Sequence, residues 1–155
     1  LKKKHRWLLL VVMGLAIWFT YSKYAYPFEF KNGEFYAGPV YSLDGEYAAK
    51  AYYRAYGGAA GGVDIWVEVA PEAEPGETKT VYYAPGNSHF SMEWLDERNL
   101  RIVNNTLGSP ESDRTVELQV GEEIYDESGA ACDSLLLKRA YRTCYERETY
   151  SFDPE

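Results

Sequence analysis

Cys132 and Cys144 are the only two cysteines in the chain, and they pose its sharpest chemical question. In an oxidising compartment they can form a disulfide. If the residues between them make one continuous helix, however, their Cα atoms stand about 18 Å apart at 1.5 Å per residue, too far for a sulfur bridge. Asp133-Ser134 can cap a helix, and Leu137, Ala140, Tyr141, Cys144 and Tyr145 recur at helical spacing. The pattern predicts a helix over residues 134–147. A Cys132–Cys144 disulfide is the alternative that excludes it.

Other groups with chemical potential are scattered. His89, Ser91 and Asp96 are the only hydrolase-like combination. Residues two apart on a strand point the same way, so His89 and Ser91 can meet. No nucleophile motif surrounds them, and a satisfied surface histidine is the simpler reading. Glu122-Glu123 with Asp126-Glu127, and Glu111 with Asp113, offer the oxygen ligands calcium takes, but without the spaced Asp/Asn-Gly loop that would organise them. Gly57-Gly58-Ala59-Ala60-Gly61-Gly62 lacks the Lys-Ser/Thr and the helix that a phosphate cradle needs, and a strand pattern follows it. Asn104-Asn105-Thr106 fits the acceptor pattern for N-glycosylation. Together these residues predict no catalytic, cofactor-binding or metal-binding site, and no cofactor.

The elements that would position such groups read mainly as strands. Val63-Asp64-Ile65-Trp66-Val67-Glu68-Val69 alternates apolar and polar residues with period two. Residues 48–56, 78–83, 89–94, 100–103 and 116–120 carry the same pattern more weakly, with turn residues between them. Phe28-Glu29-Phe30-Lys31-Asn32-Gly33-Glu34-Phe35-Tyr36 alternates about Asn-Gly and predicts a hairpin. Fifteen Tyr residues suit strands better than a helical bundle. The expected fold is mainly β: an N-terminal transmembrane helix, then an antiparallel meander or sandwich of about seven short strands, with a possible C-terminal helix.

The transmembrane reading rests on charge. No charged residue lies between Arg6 and Lys23, and Lys2-Lys3-Lys4-His5-Arg6 precedes the apolar run. Trp7 at one end, and Trp18, Tyr21, Tyr24 and Tyr26 at the other, suit interfacial aromatic belts. Lys23 can snorkel, which extends the apolar length to roughly 30 Å. The competing reading is a cleaved signal peptide, but no small-x-small site follows the run. The positive-inside rule puts the N-terminus in the cytoplasm and the rest outside. The expected organisation is a basic cytoplasmic tail over 1–6, an anchor over 7–26, an extracytoplasmic β domain over 27–127 and a C-terminal extension over 128–155. Four of the 16 Lys and Arg lie in the first six residues, and all 24 Asp and Glu follow Phe28, leaving 12 basic against 24 acidic residues from Trp7 onward. Such a domain repels nucleic acid and anionic lipid headgroups.

The order of several pieces is similar to a known family. They are the basic-apolar start, Ser42-Leu43-Asp44-Gly45-Glu46-Tyr47 opening a strand that ends in Tyr52-Tyr53, and the Gly-rich break. Val67-Glu68-Val69, Lys79-Thr80-Val81-Tyr82-Tyr83, Met92-Glu93-Trp94-Leu95-Asp96, Leu100-Arg101-Ile102-Val103-Asn104 and Ile124-Tyr125-Asp126 then follow. Over roughly residues 5–127 the chain resembles domain of unknown function 5412, a family of small bacterial proteins with one N-terminal membrane helix and a compact β domain. The resemblance implies that architecture and carries over no activity or catalytic residue. The loop over 105–115 looks longer than the family pattern, and residues 129–155 lie beyond it. The expected function is that of an anchored protein whose outer domain binds or senses a partner at the cell surface, another protein first. A cell-wall or carbohydrate-binding module using Trp66 and exposed Tyr residues is one alternative. A hydrolase built on His89, Ser91 and Asp96 is the other.

Overall fold

The period-two run around Trp66 becomes the centre of a sheet. A computed structural model describes residues 2–150, with Lys2 through its backbone alone. Helix α1 spans Lys2–Tyr24. The strands are β1 Glu34–Tyr41, β2 Tyr47–Tyr56, β3 Gly62–Pro71, β4 Lys79–Pro85, β5 His89–Trp94, β6 Asn99–Asn105, β7 Val116–Gln119, β8 Glu123–Asp126 and β9 Thr143–Tyr145, with a short helix α2 at Ala130–Asp133 before the last. Among the described residues these nine strands form a six-stranded sheet, β1-β2-β3-β4-β8-β9, and a three-stranded sheet, β5-β6-β7.

β1 to β4 pair antiparallel in sequence order, as a meander does. The turn from β1 to β2 is closed by its own polar residues: Ser42 Oγ donates to Asp44 Oδ1 at 2.6 Å, and the Glu46 amide donates to the same oxygen at 3.0 Å. Gly45 there takes φ 74°, a conformation glycine adopts at little cost. β8 and β9 join the sheet in parallel, which the alternation pattern does not foretell.

Alternate residues of the two sheets face each other and make the main core. Ala49, Ala51, Val67 and Val69 meet Leu100, Ile102, Val116 and Leu118, all nearly or wholly buried. A shift of register between β3 and β4 at Val67/Glu68 marks a bulge, and both Val81 and Tyr82 turn into the core. The indole N–H of Trp94 on β5 donates to the Val40 carbonyl on β1 at 2.9 Å, tying the sheets together.

Tyr82 is wholly buried and its hydroxyl donates to the Arg114 carbonyl at 2.9 Å. Asn104, also wholly buried, donates through Nδ2 to the Tyr82 hydroxyl at 2.8 Å and to the Pro85 carbonyl at 2.9 Å, and accepts from the Asn87 amide at 2.9 Å. This network pins the loop over 105–115 to the sandwich. Burial pushes the Tyr82 phenol well above its ordinary value of 10.0, against the opposing hydrogen bond from Asn104. Burial and the neighbouring Asp64 carboxylate raise Tyr83 to about 12. The native state therefore keeps protons that the unfolded chain gives up above pH 10. This stabilisation is complete below the unfolded value and is lost as pH rises from 10 towards 12. The expected result is a denaturation midpoint that holds steady at neutral pH and falls above pH 10, with a shallower fall in Tyr83→Phe; urea titrations across that range test it.

Two sequence expectations change, and the alternative given for the cysteines holds. Asn32-Gly33 is no hairpin turn: residues 25–33 form no strand, and β1 begins at Glu34. The helix expected over 134–147 is replaced by turns and β9, and the C-terminal helix near that point is the four-residue α2. Cys132 and Cys144 are disulfide-bonded, with Cα atoms 5.2 Å apart. Residues 128–150 are also not an appendage. β9 extends the main sheet, and Tyr150 stacks edge-on against Tyr145 at 4.9 Å while its hydroxyl accepts from the Glu117 amide at 3.0 Å.

Candidate functional site

The residues picked out for chemistry do not converge. Phe90, Met92 and Trp94 pack towards the core, so His89, Ser91 and Glu93 face outward on β5. Asp96 lies in the turn beyond Trp94, and Trp94 itself is already roughly 17 Å along the strand from His89 at 3.4 Å per residue. Its carboxylate is already engaged by the amides of Arg98 and Asn99 and by Asn99 Nδ2, at 2.6–2.7 Å. Trp66 lies on the outer face of the other sheet and is 1 % exposed, so it is not available to stack on a sugar. Asn104 is inside the core, which removes the glycosylation acceptor from the surface.

The acidic cluster over 122–127 is engaged by basic side chains, a hydroxyl and amides, and Asp113 accepts from the Thr115 amide. Glu127 pairs with Arg114 at 3.1 Å and accepts from the Tyr125 hydroxyl at 2.6 Å. Glu122 and Glu123 both pair with Arg142, at 2.9 and 3.6 Å. Asp126 is wholly buried and accepts from the Ser128 amide, the Ser128 hydroxyl and the Ala131 amide, which holds the entry to α2. Among the described residues no cluster of three or more His, Cys, Asp or Glu is placed to hold a metal ion.

What the fold does build is a junction between α1 and the β domain. α1 contains the candidate membrane span, Lys3–Tyr24. Its large apolar side chains, from Trp7 to Tyr21, are 54–72 % exposed, including Trp7, Trp18 and Tyr21 of the expected belts. A helix apolar on every side belongs in lipid or in a core, and the domain leaves this one largely exposed, with only the 135–136 loop alongside it. Lys23 at its end lies over the Tyr24 ring at 5.4 Å. Tyr24 and Tyr26 are half-buried against the domain, and α1 stops at Tyr24, so Ala25 and Tyr26 belong to the segment after it.

That segment, residues 25–33, straps across the outer face of the large sheet. Phe30 stacks on Tyr83 of β4 at 4.6 Å and lies 5.2 Å from Trp66 of β3. Trp66 in turn stacks on Tyr52 of β2 at 6.1 Å. Phe28 is 2 % exposed, in a second core with Ile124 and Ala131. Its backbone is left-handed at φ 51°, a cost of about 1–2 kcal/mol for a side chain of that size. Burial of the ring, worth about 1.5–3 kcal/mol, offsets it. Gly33 is required where the strap leaves the sheet, because a Cβ there would stand 2.1 Å from the Trp66 ring.

The C-terminal segment grips the strap from the other side. Ser134 is wholly buried and its hydroxyl donates to the Tyr26 carbonyl at 2.6 Å. The Leu135 amide donates to the Tyr24 carbonyl at 2.7 Å. The disulfide holds this grip in place, since Cys132 ends in α2 and Cys144 is the middle residue of β9. Sequence reasoning missed Phe28, Phe30, Gly33 and Ser134. The aromatic spacing Tyr26, Phe28, Phe30 was visible, but it reads equally as half of a hairpin.

No curated protein and no solved structure matches the chain. Residues 2–128 match the profile of a protein family, covering α1, the strap and β1 to β8 and stopping just before the gripping segment. The chain therefore belongs to the Family of unknown function (DUF5412).

Proposed function

We propose that this is a single-pass membrane protein, with the basic end of α1 in the cytoplasm and the β domain outside, where it binds or senses another protein at the cell surface. The observation that carries the reading is α1 itself: an all-round apolar helix left largely uncovered by a domain that is nonetheless fastened to its end. Three of the four basic residues before Trp7 are consecutive lysines, which favours that end as the cytoplasmic one. A Cys132–Cys144 disulfide suits the oxidising side of a membrane.

Support for a protein partner comes from the open edge of the large sheet. Phe35, Tyr36 and Tyr41 on β1, with Leu43 in the turn beyond, are 49–71 % exposed. Exposed aromatic residues along an edge strand are a common docking feature. The excess of acidic residues favours a partner that is basic around an apolar centre.

Two measurements test this. In fractionated cells, intact mass should include residues 7–26, and the chain should stay with the membrane after an alkaline wash; a soluble form lacking those residues would make α1 a removed signal. A photo-crosslinking amino acid at Tyr36 or Tyr41 in intact cells should yield one discrete adduct that the same group at His89 does not. Identical adducts from both faces, or none, would reject the partner.

A further inference from the structure

The loop between α2 and β9 carries two features the domain's own packing does not use. Leu135 and Leu136 are 60 % and 58 % exposed, although Ser134 beside them is wholly buried and Leu137 packs into the second core. They do not point into open solution. With Met13, Ile17 and Tyr21 of α1 they line one apolar groove of about 550 Å³. Met13 lies eleven residues before the end of α1, or roughly 16 Å down its axis. The loop therefore reaches back alongside the helix rather than away from it.

The second feature is charge. Lys138 and Arg139 follow the leucines, are exposed, and have no carboxylate within ion-pair distance among the described residues, whereas Arg142 nearby is held by Glu122 and Glu123. Lys31, Lys50 and Lys79 are also exposed without an ion pair among the described residues, but here two unpaired cations stand in sequence beside two exposed leucines. The combination is that of a segment seated at a membrane interface, with apolar side chains among acyl chains and cations at phosphate level. The disulfide closes this loop, so its tip is presented in one shape.

We propose that residues 133–142 form a second membrane contact: Leu135 and Leu136 enter the outer leaflet beside α1, and Lys138 and Arg139 bind the phosphates of lipid headgroups. The inference rests on the reading of α1 as a membrane span. A bilayer is the occupant that suits both features, because it is continuous with the surface α1 already requires and supplies the anionic groups the cations lack.

The test uses the full chain reconstituted in vesicles of phosphatidylcholine with a minority of phosphatidylglycerol and a phospholipid carrying a photoreactive group high in its acyl chain. After illumination, peptide mass spectrometry should find lipid adducts on α1 and also on the peptide containing Leu135 and Leu136. The double variant Leu135→Ser/Leu136→Ser should lower the loop adducts by about tenfold while leaving those on α1 unchanged. Lys138→Glu/Arg139→Glu should abolish their dependence on phosphatidylglycerol. Both variants alter exposed side chains, and an unchanged thermal midpoint will show that they fold. Adducts on α1 with none on the loop would overturn the inference and leave the anchor standing. Adducts on neither would overturn both. With a bifunctional amine-reactive crosslinker added to the same vesicles, chain-to-chain links at Lys138 in place of lipid adducts on the loop would give the surface to a second copy and also overturn it.

Discussion

Replacing Trp66 by Ala should destabilise the domain by about 3–5 kcal/mol, the range for deleting a buried aromatic side chain. The ring is 1 % exposed and lies between Phe30 of the strap and Tyr52 of β2, with its N–H donating to Glu68 Oε1 at 3.1 Å. Its loss removes the surface on which the strap rests. Urea unfolding of the detergent-solubilised chain gives the cost, and hydrogen exchange over residues 25–33 should rise with it. Gly33→Ala provides the cross-check. In the native background it is destabilising, because the added Cβ meets the indole. In the Trp66→Ala background the obstacle is gone, so the two changes should be strongly non-additive. Additive costs would mean that the strap and Trp66 do not depend on each other.

The second large effect belongs to the disulfide. Cys132 and Cys144 are 12 residues apart, and opening a loop of that size costs about 3 kcal/mol on the chain-entropy account. Cys144→Ser, or reductant applied to the native protein, should lower the unfolding midpoint accordingly. The loss should concentrate where Cys144 packs, in the second core with Phe28, Ile124 and Ala131. Exchange at the Leu135 amide, which donates to the Tyr24 carbonyl, should quicken before that of the central strands. Mass after alkylation in denaturant without reductant provides the direct check: neither thiol should react. Two reacted thiols, with no change in midpoint on reduction, would remove the disulfide from the account.

Much of the architecture can be read from residue order. α1 follows from the gap in charge between Arg6 and Lys23, which leaves an apolar run of helix-forming length. β2 to β7 follow from alternation, because each has one face in a sandwich and one towards solvent or the strap. Reading failed where two structures produce the same pattern. Phe28 and Phe30 alternate with polar neighbours whether they form a hairpin arm or a strap laid flat on a sheet. Leu137, Tyr141 and Cys144 recur at helical spacing because successive turns bring each against the same small core, and the cross-link to Cys132 outweighs the helical preference of the residues between. β8 was hidden by its length, four residues with acids at both ends, and its parallel partner lies 43 residues back in β4, Tyr82 against Tyr125.

The strap also sets how far this domain can travel. A flexible tether of nine residues would let a domain sweep a hemisphere of about 15 Å radius above its anchor. Here Phe28 and Phe30 fix the middle of those residues, and Ser134 fixes their start. The tether has little free length, which narrows how far the domain can move relative to α1. Effective concentration towards a binding site depends on linker reach, and it falls to nearly nothing when the linker cannot span the gap. On the proposed reading, a partner at the β1 edge would have to come to the height the strap sets, either held in the same membrane or long enough to arrive from elsewhere. Loosening the strap would widen the set of partners within range at the expense of the one whose geometry matches.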